Sequence, residues 1–202
     1  AGSRGQSTQR LNMELVFGGS FDPPTRAHVV LPQAAALSLE AHRVRYVPAA
    51  VSPHKTGAPP VAADHRLCML RLALAGWDQA IIDLQELNRE GPSFTVDTLE
   101  ALAEQDPCER RLLMGSDQAV VFHRWHRWND IIALAEPVVV LRDTDDADTV
   151  LAQIEDGQGN GAADAWRGRL LDLDRRLESS SSVRATGDLH QVCDAVANYI
   201  QE

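Results

Sequence analysis

The sequence predicts an α/β protein built on a parallel sheet, and three observations point there. An apolar run at residues 13–17 ends in Gly18 and Gly19, passes a polar turn with Pro23 and Pro24, and enters a helix start at Thr25 and His28. Short strand-like apolar segments then alternate with longer helix-like ones along the chain. Residues 137–141 read Pro-Val-Val-Val-Leu, the unbroken apolar pattern of a strand covered on both faces inside a parallel sheet. With 202 residues the chain can bury one good core, and one domain is the simplest expectation.

Composition narrows the partners. Hydrophobic residues make up 44% and charged ones 24% of the chain, ordinary values for a globular protein. No apolar run reaches the roughly 20 residues of a membrane span and none reads as a secretory leader, so no membrane association and a cytoplasmic location are expected. Cys68, Cys108 and Cys193 are scattered and odd in number, which fits free thiols in a reducing compartment better than a disulfide frame. A formal charge of −10 argues against a broad nucleic-acid-binding face. An anion can still be held by local positive groups and backbone N–H donors. Among 19 Lys and Arg residues, Lys55 is the single lysine.

Taken in order, residues 1–12 are polar and aperiodic and read as a disordered tail, leaving 13–202 as the domain. Gly18 and Gly19 can adopt backbone angles closed to other residues and let main chain approach a ligand. Pro23 and Pro24 stop the strand, and Thr25 is an N-cap candidate with His28 on the same side of the first turn. Strand, glycine turn and helix N-terminus together make a phosphate-binding geometry. An isolated Gly-Gly turn is more often structural, but the ordered series Gly18-Gly19-Ser20-Phe21-Asp22-Pro23-x-Thr25-x-x-His28 is far more specific. A helix follows, then a strand at 44–47. Pro53-His54-Lys55 lies just past its end, where parallel sheets bind ligands. Lys55 offers a point charge to phosphate, with a solvated loop lysine as the alternative.

Residues 64–76 read as a helix ended by Gly76, and 80–84 as a strand. Gly91-Pro92-Ser93-Phe94-Thr95 then opens another helix with an excess of capping residues. A strand at 110–113 runs into Gly115-Ser116-Asp117, where a carboxylate at a strand's C-terminal end suits ribose hydroxyls. Trp125 presents a ring that could stack on a heterocycle, a contact worth roughly 1–3 kcal/mol in nucleic-acid systems, or simply pack on Trp128. His123 and His126 lack a third ligand and read as surface residues, so no metal site is expected. Arg142 follows the strand at 137–141. Residues 143–165 carry seven acidic side chains, three glycines and no Lys or Arg. They read as a solvated, mobile acidic insertion with a short helix near 150–154, and their spacing does not follow a calcium loop. A strand at 170–173 precedes Ser179-Ser180-Ser181-Ser182-Val183-Arg184, which reads as a Ser-rich linker or helix N-cap.

In this order the motifs resemble those of the nucleotidyltransferases, and most closely the nicotinate-nucleotide adenylyltransferases. Gly18 to His28 matches G-G-[ST]-F-D-P-x-[HT]-x-G-H except at Ala27, where the pattern has Gly. Pro53 to Lys55 resembles P-P-H-[KR], and Arg89 to Leu99 resembles R-x-G-x-S-[YF]-T-x-D-T-L. Ser179 to Arg184 resembles I-S-S-T-x-I-R, with Glu178 for the leading Ile, Ser181 for Thr and Val183 for Ile. The resemblance covers residues 14–200. It implies a Rossmann-like, doubly wound parallel sheet with helices on both faces and further helices at the C-terminus, forming a single nucleotidyltransferase domain. It also implies transfer of the AMP moiety of ATP to nicotinate mononucleotide, with Mg²⁺ arriving on ATP. His28, Thr25 and Arg184 would be catalytic. Gly18, Gly19, Ser20, Phe21, Gly115, Asp117, Ser180 and Ser181 would join His28 and Arg184 in binding ATP. Lys55, Ser93, Phe94, Thr95, Trp125 and Arg142 would bind the mononucleotide. The expected partners are small-molecule nucleotides, and association into a homo-oligomer stays open. So do the same chemistry on nicotinamide mononucleotide and a nucleotide-binding regulator with weakened catalysis. Ser93-Phe94-Thr95 and Trp125 argue against a cytidylyl- or pantetheine-phosphate-transferring enzyme.

Overall fold

The computed structural model describes residues 12–50, 61–142, 145–173 and 178–202. Six parallel strands form one sheet: β1 (Met13–Gly19), β2 (Arg43–Pro48), β3 (Ala80–Ile82), β4 (Glu109–Gly115), β5 (Glu136–Val140) and β6 (Leu170–Leu171), in the order β3-β2-β1-β4-β5-β6. The chain winds outward from β1 to β3, returns to place β4 beside β1, and winds outward again. Loops leaving the C-terminal ends of β1 and β4 therefore diverge, and a crevice opens between them.

Period-two alternation explains why both faces are covered. Val16, Leu112, Met114 and Val139 point into one core with Val96, Leu99 and Leu102 of α3 (Thr95–Gln105) and Ile131 of α5 (Trp128–Leu134). Leu15, Leu113, Val138 and Val140 point the other way, onto Ala35 and Ala36 of α1 (Ala27–Ser38) and Leu70 of α2 (Ala63–Ala73). The doubly wound parallel sheet is thus as expected. At the end of β4 the chain enters α4 (Ser116–Val121) directly. α8 (Ser180–Thr186) and α9 (Asp194–Gln201) close the chain, and Val183, Val192 and Val196 pack on Met69 of α2.

Three local expectations change. Gly18 and Gly19 belong to β1 and pair with Val47 and Pro48, and neither has a positive φ. Gly19 is needed for space, because a Cβ there would stand 3.0 Å from the Phe21 ring, and it is Phe21 itself that takes the left-handed conformation at φ 48°. Thr25 does not cap α1; Arg26 holds that position, and the Thr25 side chain turns to His28 instead.

The largest correction concerns the acidic segment. Its described part holds the helix expected near 150–154, within α6 (Ala147–Gln158), and a second one, α7 (Ala162–Arg167), but it is not a solvated excursion. Val150, Leu151, Ile154 and Trp166 lie buried in the same core as α3 and α5, and the Trp166 indole donates to Gln158 Oε1 at 2.9 Å. The carboxylates occupy the outer face, so a high acidic count concealed a one-sided apolar stripe. Of the tail expected at residues 1–12, residues 1–11 lie outside the described residues, as does the Pro53-His54-Lys55 motif.

Candidate active site

A cavity of about 390 Å³ occupies the crevice at the β1/β4 switch point. Gly18, Gly19, Ser20, Phe21 and His28 form one wall, Gly115, Asp117 and Arg142 another, Ser180 and Ser181 a third, and Thr95 with Trp125 reach it from the far side. Residues from six separate stretches of the sequence are thereby brought to one site.

His28 is held at several points. The Thr25 backbone N–H donates to His28 Nδ1 at 3.1 Å, and Thr25 Oγ1 lies 2.6 Å from the same nitrogen. A main-chain N–H can only donate, so Nδ1 accepts and the proton of the neutral imidazole sits on Nε2. The ring lies against Phe17 and Phe21, at 6.0 and 5.6 Å between centroids. Its backbone is tied as well. Pro32, four residues on, has no N–H for the His28 carbonyl, and the Tyr46 hydroxyl from β2 donates to that oxygen at 2.8 Å. Burial raises the Tyr46 phenol well above its ordinary range, so it remains a donor.

The serine segment is a true helix start. Ser179 is the N-cap of α8 and accepts from Ser182 N–H at 3.1 Å. Ser180 Oγ donates to the Pro23 carbonyl at 2.8 Å, and Arg184 donates to the Asp22 carbonyl and to Ser181 Oγ. The residues read as a phosphate clamp thus also bolt α8 to the turn after β1. Glu178 lines the cavity beside them, and among the described residues its Oε2 is buried with no hydrogen-bond partner.

Two other assignments acquire a different setting. Arg142 Nη2 lies 3.1 Å from Asp117 Oδ1, so a residue expected on the mononucleotide phosphate is ion-paired to one expected on the ATP ribose. Ser93 and Phe94 stand behind Thr95 rather than on the cavity wall. Ser93 Oγ accepts from Ala50 N–H at 3.1 Å, and the Phe94 ring packs on His126 at 4.6 Å. Thr25 and Arg184 likewise act from behind the wall. Lys55 lies outside the described residues. The Trp125 ring lies 5.2 Å from that of Phe122 at an interplanar angle of 50°, and Phe122 also meets Trp128 edge-on at 6.3 Å.

Sequence reasoning passed over Glu86 and Thr98. Both line the cavity, Glu86 is buried, and Thr98 Oγ1 donates to its Oε1 at 2.8 Å. Burial raises the Glu86 carboxyl, while hydrogen bonds from Thr98 and Ser93 and the charge of Arg89 pull the other way. Nothing in the surrounding residues distinguishes this acid from solvated neighbours until the fold buries it. Among the described residues no group of three or more His, Cys, Asp or Glu could hold a metal ion.

A cavity at a parallel-sheet switch point, bordered by the glycine end of β1 and by His28, is where doubly wound α/β proteins bind nucleotides. Residues 16–186 match the family model described as cytidylyltransferase-like. A protein of Laribacter hongkongensis named as a probable nicotinate-nucleotide adenylyltransferase is 38% identical over 199 residues, spanning 92% of this chain and 90% of that one. A Gemmatimonas aurantiaca protein of the same name is 33% identical over 191 residues, or 92% and 88% of the two chains. In fold, the chain resembles a Plasmodium falciparum nicotinic acid mononucleotide adenylyltransferase solved with NaAD, with a TM-score of 0.70, 18% identity and coverage of 94% and 95%. The chain belongs to the cytidylyltransferase-like family and, within it, to the nicotinate-nucleotide adenylyltransferases.

Proposed function

We propose that this protein transfers the AMP moiety of ATP to nicotinate mononucleotide, giving nicotinate adenine dinucleotide and pyrophosphate. The observation that carries this reading is the joining of the Gly18–His28 turn and the Thr95–Trp125 side in one cavity of about 390 Å³, room for both substrates' reacting ends.

The 5′-phosphate oxygen of the mononucleotide attacks the α-phosphorus of ATP in line. The bond to the β-phosphate oxygen breaks, and pyrophosphate leaves. Such a reaction needs positioning and charge stabilisation rather than a covalent intermediate. His28 donates from Nε2 to the α-phosphate as charge grows there, and Thr25 holds the tautomer that makes this donation available. The main chain of Gly18 to Phe21 lies along the nucleotide. Ser180, Ser181 and Arg184 hold the departing phosphates, exchanging contacts with the β1 turn for contacts with ligand. Asp117 accepts from ribose hydroxyls with Arg142 beside it, and Arg142 together with Lys55 serves the mononucleotide phosphate. Thr95 and Trp125 receive the pyridine ring, with Ser93 and Phe94 supporting that segment. Mg²⁺ enters as part of the ATP substrate.

Pyrophosphate release is measured with ATP and Mg²⁺ and either nicotinate or nicotinamide mononucleotide. A large preference for the acid is expected. Equal or reversed preference replaces the acceptor and keeps the chemistry. ATP binding with no pyrophosphate from either overturns the enzymatic reading.

A further inference from the structure

Arg66, in the first turn of α2, is 2% exposed, and among the described residues its side-chain hydrogen bonds go to main-chain carbonyls. Nη1 donates to Ser20 O at 2.7 Å and to Ala49 O at 2.9 Å, and Nε donates to Val61 O at 2.9 Å. Ser20 begins the turn after β1, Ala49 begins the loop after β2, and both line the cavity. One buried cation therefore ties together two loops at the C-terminal edge of the sheet. Asp22, itself buried, supplies the nearby negative charge and also accepts from Val61 N–H at 3.3 Å.

The consequence lies in the peptide planes. In a trans peptide the carbonyl and the following N–H point in opposite directions. With Ala49 O on Arg66, the Ala50 N–H points away from it and donates to Ser93 Oγ at 3.1 Å. With Ser20 O on Arg66, the Phe21 N–H is likewise turned to the side away from the guanidinium. Nη1 of Arg66 thus sets two peptides at once, while Nε holds the Val61 carbonyl. One belongs to the turn beside ATP in the reading above, and the other braces the Ser93–Thr95 segment. A lysine is one bond shorter, so its nitrogen falls near the place of Cζ, short of both carbonyls, and it has no donor where Nε holds Val61 O.

We infer that Arg66 is a positioning residue for the reaction: it orients the Ser20–Phe21 and Ala49–Ala50 peptides and so fixes the turn after β1 against the loop after β2. It touches no substrate. Its kinetic consequence rests on the adenylyl-transfer reading, whereas its effect on ATP binding does not.

The test compares Arg66→Lys and Arg66→Met with the parent protein. Folding is checked by circular dichroism at the assay temperature, ATP affinity by calorimetry, and steady-state kinetics are measured for both substrates. Arg66→Lys is expected to fold and to lower kcat/KM for ATP by about 10²-fold, the scale of a misplacement near 1 Å. Most of the loss should fall in KM, with weaker ATP binding in calorimetry to match. A purely structural role would remove folded molecules, lowering apparent kcat and leaving KM unchanged. Folded variants with parental ATP affinity and KM overturn the inference, and so does failure of both variants to fold. If the parent protein releases no pyrophosphate, the functional reading fails, and ATP affinity alone decides the role of Arg66.

Discussion

Thr25 places the proton of His28, and that small fact governs what the site can do. With Nδ1 occupied as an acceptor, only Nε2 can donate. His28→Ala is expected to lower kcat by about 10²–10³, the loss typical of one oxyanion-type donor, in a pyrophosphate-release assay. The histidine motif was legible because its residues sit close together in sequence. Its support by Tyr46 was not, since that contact joins β2 to α1 through a carbonyl that only Pro32 leaves available. Tyr46→Phe should cost about 1–3 kcal/mol by leaving that partly buried acceptor without its donor. The cost should shrink in a Pro32→Ala background, where an N–H can take over; a double-mutant cycle in urea measures this. Glu86 yields a pH prediction. Its carboxyl is raised in the folded state, so its contribution to stability is complete below the unfolded value near 4.3 and is lost as pH rises through the raised one. Compared with non-titrating Glu86→Gln, the parent protein should therefore lose stability as pH is raised from 4 to 7 in denaturant melts.

Among the elements, α6 and α7 teach the most. Charge counting made their sequence a solvated insertion, because seven acids and three glycines outweigh a few apolar side chains in any average. Position decides otherwise: Val150, Leu151 and Ile154 share one helical face, and that face has a core to meet. Ile154→Ala should cost about 2–5 kcal/mol in chemical denaturation, as for a core residue, whereas in a solvated insertion the change would be near zero. At α8 the reading was better, since a run of serines before an apolar residue is a local capping signal that needs no tertiary partner. The departure at Glu178 matters here too, because it sets a carboxylate among groups proposed to hold phosphates. Glu178→Ile should lower the KM for ATP several-fold by removing that repulsion.

Across the molecule, the two ends of the sheet have separate tasks. The cavity opens at the C-terminal ends of β1 and β4. Toward the other end, fully buried Glu14 accepts from Arg43 at 2.7 Å, Arg45 at 2.9 Å and Arg110 at 3.0 Å, lacing β1 to both of its neighbours. Removing a carboxylate from such a cluster strands buried positive charge. Glu14→Gln should cost about 3–5 kcal/mol of stability in denaturant melts, and the folded fraction should keep parental KM values.

The sequence alone determined the alternating elements, the sheet's parallel character, the histidine turn and the family. These are written in residue order, as periodicity, glycine and proline punctuation, and short motifs. Only the tertiary structure decided which strands are neighbours, that Arg142 faces Asp117, that Glu86 is buried, and that Arg66 grips two loops. Those features depend on atoms far apart in the chain. Their energies exist only once folding has removed water and brought donor and acceptor together, so no local stretch of sequence carries their signal.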